Sequence, residues 1–380
     1  MVIIYSLENK YNPKLLTKIS FTSPFAFTNL IINRFDTDKI SVWGVGGYAI
    51  LFLLLLYFYL YFIYYLYFNY YLYFNYMEKN HKFDLAVKKI TTPDMMNKFL
   101  TSTTYSAIID FIKALQESAK SKKKSEIKLS NNPCVLGLIQ LLDELDKLID
   151  ETPPVKNARR FGNASFKTWH EKVENKYTDL MKLILTNKFR EDLSLELKSY
   201  FLDAFGSYMR LDYGTGHELN FLCILMILFY TQFYNQEDFS SIVLHVFFKY
   251  ILLVRKIQVT YQLEPAGAHG VWGLDEYQFL PFLFGAAQLI SHPDIVPSSI
   301  HEERVLKENS DEYLYLNCIK HIKSVKHGAN FTEYAPMLDS ISNVKIWDKV
   351  AKGLVKMYED EVLKKYVVIQ HFYFGTVLVY

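Results

Sequence analysis

Apolar residues recur with helical spacing along most of the chain after Met77. Three stretches place them at i, i+3, i+4 and i+7, on one side of an amphipathic helix. Their members are Ile108, Ile109, Ile112 and Leu115; Val135, Leu138, Leu141, Leu142, Leu145, Leu148 and Ile149; and Phe166, Trp169, Val173, Tyr177, Leu180 and Ile184. The pattern predicts amphipathic helices in all three stretches.

Two further stretches, residues 218–232 and 241–261, are apolar on nearly every side. This is typical of central helices in a large core. Tyr and Gln interrupt both stretches, with Asn in the first and Lys in the second, which argues against membrane spans. No segment alternates with the period of a strand over a useful length, and no repeat of 20–50 residues is visible. The sequence therefore predicts an all-α fold for residues 77–380.

The first 76 residues have a different composition. No residue from 41 to 76 is charged, and the hexapeptide YLYFNY occurs twice in succession at 65–76. A run of this length meets the requirement of about 20 residues for a membrane span. Tyrosine, however, belongs at the membrane interface rather than at a lipid-facing helix centre. We therefore expect residues 1–76 to be a low-complexity extension before a start at Met77, with a membrane anchor as the alternative.

Charge and cysteine content narrow the functional classes. The chain has 42 basic and 40 acidic residues, a net charge of +2, which lacks the basic surplus of a general nucleic-acid binder. The three cysteines, Cys134, Cys223 and Cys318, are far apart and suggest neither a disulfide framework nor a metal knuckle. This usage favours a cytoplasmic location. The run Lys120–Lys124 predicts a solvated loop, with a nuclear-localisation signal as the alternative.

The first break in the helical pattern is RLDYGTGHE at residues 210–218. Its glycines allow a tight loop, and Thr215 is the expected N-cap of a helix entering at Glu218. Free amides at that helix start, with Arg210 close in sequence, would suit a phosphate. An ordinary capped loop is the alternative, because neither a Walker motif nor HExxH is present.

The second break, residues 264–276, holds three glycines. Asp275 and Glu276 are expected at the start of the next helix, where the dipole favours acids. Their oxygens would also suit Mg²⁺ together with phosphate. Trp272 would offer an aromatic wall for a proline ring, or would simply be packed. A third segment, residues 368–375, is expected to dock as a tail, and its His371 is more typical of a structural histidine than of a base.

In this order, the three segments resemble the phosphotyrosyl phosphatase activator family, also called the protein phosphatase 2A activator family. The resemblance runs from about residue 90 to 378. Its motifs are YGTGHE at 213–218, EPAG at 264–267, VWGLD at 271–275, QFLPF at 278–282 and QHF at 370–372. Two positions depart from the family's pattern. Tyr334 stands where a His is usual, and Glu276 stands where an Asp is common.

The resemblance implies a single all-α domain whose core, linker and lid parts surround a loop-built cleft. It implies a phosphatase 2A-type catalytic subunit as partner, and ATP and Mg²⁺ as cofactors in remodelling that partner's active site. It also implies peptidyl-prolyl cis/trans isomerase activity on proline-containing segments. Carried over by position, it implies nucleotide contacts from Arg210, Thr215, Gly216, Gln370 and His371, and metal contacts from Gly270 and Glu276.

The catalytic residues of such an isomerase stay open. The cleft candidates are Asp212, Tyr213, Trp272 and Asp275. Rotation about an X–Pro bond needs no nucleophile, so the absence of a catalytic-triad signature does not count against the enzyme. Activation of the phosphatase is the first hypothesis and isomerase activity a linked one. A membrane-anchored protein of other function, using residues 41–76, is the third.

Overall fold

Helices make up nearly all the regular structure of the residues that the structure describes. The computed structural model describes residues 81–156, 162–186, 190–267, 273–326 and 330–380. The extension of residues 1–76, with its possible membrane segment, lies outside the described residues. Within the described ranges, no helix is both long enough and apolar enough to cross a membrane. The prediction of an all-α fold is confirmed.

The helices described before residue 210 are α1 (Met96–Leu100), α2 (Thr103–Ala119), α3 (Pro133–Asp150), α4 (Ser165–Asn175), α5 (Tyr177–Ile184) and α6 (Glu191–Asp203). Of these, α2 to α5 are built on the predicted stripes, whereas α1 and α6 lie outside them. The amide of Cys134 donates to Asn132 Oδ1 at 2.9 Å, so Asn132 is the side-chain cap of α3. The stripe from Phe166 to Ile184, expected as one helix, divides at Lys176 into α4 and α5.

The remaining helices follow residue 210 and lie between and after the glycine-containing loops in the sequence. They are α7 (Thr215–Tyr230), α8 (Phe239–Ser241), α9 (Phe248–Tyr261), α10 (Leu280–Gln288), α11 (Glu303–Asn309), α12 (Leu314–Val325), α13 (Phe331–Tyr334), α14 (Pro336–Ser342), α15 (Trp347–Tyr358) and α16 (Tyr366–Ile369). As predicted for a central helix, α7 buries every residue from His217 to Leu228. The stretch 241–261 is less regular than expected, because a π-helical segment, Ile242–Phe247, joins α8 to α9.

Two pairs of very short strands position the cleft. β1 (Val87–Lys88) pairs antiparallel with β4 (Tyr373–Phe374), which ties the C-terminal tail to the start of the described chain. β2 (Asp212–Tyr213) pairs in parallel with β3 (Glu264–Pro265), which sets the first two glycine-containing loops side by side. Each strand has only two residues, too few to give a period-two pattern in the sequence.

Glycines allow two helix pairs to touch at backbone distance. A Cβ added at Gly285 of α10 would lie 2.1 Å from the backbone nitrogen of Tyr315 in α12. A Cβ at Gly137 of α3 would lie 1.9 Å from the carbonyl oxygen of Leu183 in α5. Neither neighbour can move aside as a side chain would, since both contacts are to backbone. Close helix packing therefore depends on these two glycines.

We predict that Gly285→Ala destabilises the fold, because α10 and α12 must separate to admit the methyl group. Overpacking of this kind costs about 1–3 kcal/mol. The matched control is Gly353→Ala on α15, where an added Cβ meets no atom within 4 Å. Alanine there should instead stabilise the helix by roughly 0.5–1 kcal/mol. Urea unfolding followed by circular dichroism measures both changes, and equal shifts in the same direction would contradict the packing argument.

Candidate functional site

A cleft of about 970 Å³ opens where the paired loops meet the C-terminal tail. Its lining comes from the end of α6 and the following loop, the first turns of α7, residues 265–267 and 273–279, and helices α14 to α16. Six residues predicted for the site line this one cleft: Arg210, Thr215, Gly216, Asp275, Glu276 and His371. The cleft is therefore the candidate functional site.

The N-terminus of α7 faces the cleft, and its first two amides bond no acceptor among the described residues. Gly214, not Thr215, is the N-cap, and the helix begins at Thr215 rather than at Glu218. The amides of His217 and Glu218 donate to the Gly214 carbonyl, at 2.9 and 3.3 Å. The two amides before them, of Thr215 and Gly216, have no carbonyl of the helix to bond. Together with the helix dipole, such amides would suit an anion, and we refer to this helix start as the anion site. That a phosphate binds there stays a prediction.

The backbone pairing of β2 and β3 explains why a glycine precedes this helix. A Cβ at Gly214 would lie 2.9 Å from the Cβ of Ala266, just after β3. A side chain at position 214 would push the two loops apart. Gly216 is less restricted, because its added Cβ would sit 3.5 Å from Val368 Cγ1, an ordinary contact.

Asp212 lies behind the cleft wall and orients two residues that line it. Arg210 Nε donates to Asp212 Oδ2 at 2.7 Å, and His217 Nε2 lies 3.6 Å from Asp212 Oδ1. Burial raises the pKa of the Asp212 carboxyl, but His217 and Arg210 outweigh burial and lower that pKa below its usual value. A carboxylate that is already charged and paired is a support for the Arg210 guanidinium, not a free proton carrier.

The tail contributes His371 to the cleft but not Gln370. Burial, with Arg210 and Lys88 nearby, lowers the pKa of His371 below its usual value, which favours a neutral imidazole at pH 7. Gln370 is not among the residues that line the cleft, and its side-chain amide donates to the Val367 carbonyl at 3.3 Å. The structure therefore does not bring Gln370 to the anion site.

Tyr213, expected as a cleft residue, belongs to the core. Its side chain is fully buried, and its hydroxyl lies 2.7 Å from the hydroxyl of Tyr250. Adjacent strand residues point to opposite sides, so Asp212 supports the cleft while Tyr213 enters the interior. Two other expected residues, Gly270 and Trp272, lie outside the described residues.

Glu218 is a buried group whose role the sequence did not reveal. Its Oε2 accepts hydrogen bonds from the amides of Phe279 and Leu280, at 3.0 and 2.9 Å. Glu218 thereby caps the N-terminus of α10 from another helix, a function normally performed by a local side chain. Burial raises the pKa of Glu218 to about 8. The sequence feature that could have pointed to this role is an acidic residue within a largely apolar helix.

Asp275 and Glu276 do not start a helix, because α10 begins only at Leu280. Asp275 Oδ2 accepts the amides of Tyr277 and Gln278, at 3.0 and 2.9 Å, and burial raises the pKa of this carboxyl. Glu276 Oε1 lies 2.9 Å from the ammonium of Lys326. Within the described ranges, no three His, Cys, Asp or Glu residues are grouped to hold a metal. The described surroundings of Glu276 therefore do not fit a resident Mg²⁺.

Helical architecture and the cleft motifs together define a protein of the phosphatase-activator class. Residues 86–380 match the family Phosphotyrosyl phosphate activator (PTPA) protein. The chain belongs to this family, which confirms the resemblance found in the sequence.

Curated relatives and a solved structure agree with this assignment. Probable serine/threonine-protein phosphatase 2A activators 2 and 1 of Dictyostelium discoideum are 41% and 42% identical to this chain, over 78% and 79% of its length. The match spans 65% of the first relative and 92% of the second. The crystal structure of the PP2A phosphatase activator Ypa1 superposes with a TM-score of 0.69 at 32% identity. That match covers 78% of this chain and 94% of Ypa1.

We predict that the Glu218 carboxyl makes stability depend on pH. Its pKa rises from 4.5 to about 8 on folding, so its contribution is complete below pH 4.5 and is lost as pH rises through about 8. Glu218→Gln keeps a carbonyl acceptor for both amides and cannot ionise. The variant should therefore melt close to the wild type at pH 5 and above it at pH 9.

Thermal denaturation of both proteins from pH 5 to pH 9 provides the test. Glu303→Gln is the control, because the Glu303 side chain is 81% exposed. The Glu218→Gln difference from the wild type should grow with pH by more than the Glu303→Gln difference does. Equal pH dependence of the two differences would show that folding does not raise the pKa of Glu218.

Proposed function

We propose that this chain activates a protein phosphatase 2A-type catalytic subunit, the role that the names of its relatives give to those proteins. One observation carries the proposal: motif residues that are far apart in the sequence, including Arg210, Gly216, Asp275 and His371, meet in one cleft of about 970 Å³. A cleft of this size can receive a nucleotide or an extended segment of a partner protein.

We further propose that the anion site at the start of α7 binds the phosphates of ATP. Arg210 supports this because its side chain is 46% exposed and, among the described residues, its guanidinium is held by the Nε bond to the largely buried carboxylate of Asp212. Both Nη groups would be available to a phosphate, in the forked geometry that suits its oxygens. Mg²⁺ would accompany the phosphates, neutralising their charge, with its other ligands shared with the phosphatase.

We predict that Arg210→Ala raises the Kd for ATP about tenfold or more, which corresponds to about 1.4 kcal/mol. A hydrogen bond from a charged group contributes about 1.5–3 kcal/mol, so the loss should be measurable. Calorimetric titration of ATP and Mg²⁺ in the presence of the phosphatase subunit gives the affinity. Arg304→Ala on α11 is the control, since Arg304 is exposed and outside the cleft lining. Equal affinity in the two variants would remove Arg210 from the site.

The rim of the cleft offers an apolar contact for the partner. Met209, in the loop before Arg210, is 76% exposed, and Val367 on α16 is 61% exposed. Both line the cleft. Burial of such exposed apolar side chains by a partner contributes favourably to the binding free energy, and methionine is enriched at protein interfaces. We propose that these two residues contact the phosphatase.

We predict that Met209→Ala weakens binding of the catalytic subunit about tenfold while leaving the melting temperature unchanged. The matched control is Val259→Ala on α9, which is 61% exposed but does not line the cleft. Surface-immobilised phosphatase and purified variants give the two affinities. If both variants bind like the wild type, Met209 lies outside the interface.

Isomerase activity on proline-containing segments is a second proposed function, for which the apolar wall of the cleft is the favouring observation. This wall is formed by Leu274, Phe279, Met337, Met357 and Val362. A twisted X–Pro amide loses its resonance, and an apolar wall with amide donors nearby would favour that form over a solvated planar one. Turnover of a proline peptide by the full chain without phosphatase would separate this activity from activation.

A further inference from the structure

Both departures from the family's pattern contact a single lysine. The ammonium of Lys326, just after α12, lies 2.9 Å from Glu276 Oε1 and 3.3 Å from the carbonyl oxygen of Tyr334. The same ammonium lies 6.0 Å from the centre of the Tyr334 ring. A carboxylate oxygen, a carbonyl oxygen and an aromatic face are all groups that attract a cation. Glu276 and Tyr334 therefore share one cationic partner.

The contact is more than a surface ion pair. The side chains of Lys326 and Glu276 are each only 24% exposed, so the pair is partly screened from water. Removing one member of such a pair leaves the other partly buried and uncompensated. In contrast, the pair between Lys352 and Asp348 on α15 is 77% and 41% exposed and joins neighbouring turns of one helix.

Lys326 also joins two parts of the cleft wall. Glu276 belongs to the segment 273–279, which lines the cleft. Tyr334 ends α13, and α14 follows directly with Met337, another lining residue. One ammonium thus links the wall before α10 to the end of α13 and, through it, to α14. Loss of the link would free these two segments from each other.

The ammonium and a divalent cation would compete for the same carboxylate. The neighbouring carboxylate, Asp275, is already used in part, because its Oδ2 accepts two backbone amides. A metal ion bound at Glu276 would bring a second positive charge to within a few ångström of the Lys326 ammonium. Two cations this close repel each other strongly. A metal ion therefore reaches Glu276 only if Lys326 leaves.

We propose that Lys326 is the resident cation of Glu276, occupying the position of a divalent metal and tying the segment 273–279 to α13 and α14. The structure shows the state in which Lys326 is paired with Glu276. Binding of a metal ion at Glu276 would require this pair to separate, which would also release the tie. That Glu276 lies in a functional cleft rests on the proposed function. The exclusion of metal from Glu276 does not, because it involves only residues of this chain.

Binding of Mn²⁺ to the full chain, measured from the free-ion signal in electron paramagnetic resonance, tests the proposal without the phosphatase. The wild type should bind Mn²⁺ weakly, and Lys326→Met should bind it about tenfold more tightly. The double variant Lys326→Met/Glu276→Gln should return to the affinity of the wild type. Lys352→Met, which also removes one paired ammonium, should bind like the wild type.

Two outcomes would overturn the proposal: Mn²⁺ binding to the wild type as tight as to Lys326→Met, or tight binding that survives Glu276→Gln. Hydrogen exchange gives a second, metal-free measurement. In Lys326→Met, the amides of α13 and α14 should exchange faster than in the wild type, and in Lys352→Met they should not. Unchanged exchange in Lys326→Met would exclude the tie. Because neither measurement contains phosphatase or ATP, failure here is distinguishable from failure of the activator function.

Discussion

The cleft depends on the contact between Glu218 and the start of α10. One carboxylate oxygen of this α7 residue receives the amides of Phe279 and Leu280. The first amides of a helix need partners, and buried amides without them are costly. The separation of α7 and α10 is thus fixed by hydrogen bonds, in addition to apolar packing. Because α7 also presents its own N-terminus to the cleft, its contact with α10 fixes the position of the anion site relative to the wall before α10.

The opposite wall is fixed by polar contacts from one face of α6. Residues spaced by four and three positions on this helix lie on the same side. Each holds the C-terminal tail by a different bond: Glu196 Oε1 accepts the amides of Thr376 and Val377, the Tyr200 hydroxyl donates to the Tyr373 carbonyl, and Asp203 accepts the Tyr373 hydroxyl. Glu196 is fully buried, and an added Cβ at Gly375 would lie 2.3 Å from its Oε1. These bonds keep His371 beside the anion site.

Sequence reasoning succeeded where structure is determined by local pattern. The stripe in α3 and the apolar helix α7 were predicted because side-chain period and helix geometry are properties of a short window. The break at Lys176 was missed because the apolar stripe continues across it. The site residues came from resemblance, and the cleft brings most of them together. The capping role of Glu218 and the partner of Glu276 could not be predicted, because each depends on a contact between residues distant in sequence.

Two ion pairs of the cleft, Arg210–Asp212 and Glu276–Lys326, differ in how a bound ion would affect them. Arg210 uses Nε to bond Asp212, within the same loop, and so can take a phosphate on its Nη groups without giving up that bond. Glu276 instead directs Oε1 at Lys326, an ion pair between two separate segments of the cleft wall. A cation at Glu276 would bring a second positive charge beside Lys326, whereas an anion at Arg210 would add to an existing pair. On the proposals above, phosphate binding at Arg210 would leave the cleft wall in place, and any movement of α13 and α14 would respond to what approaches Glu276.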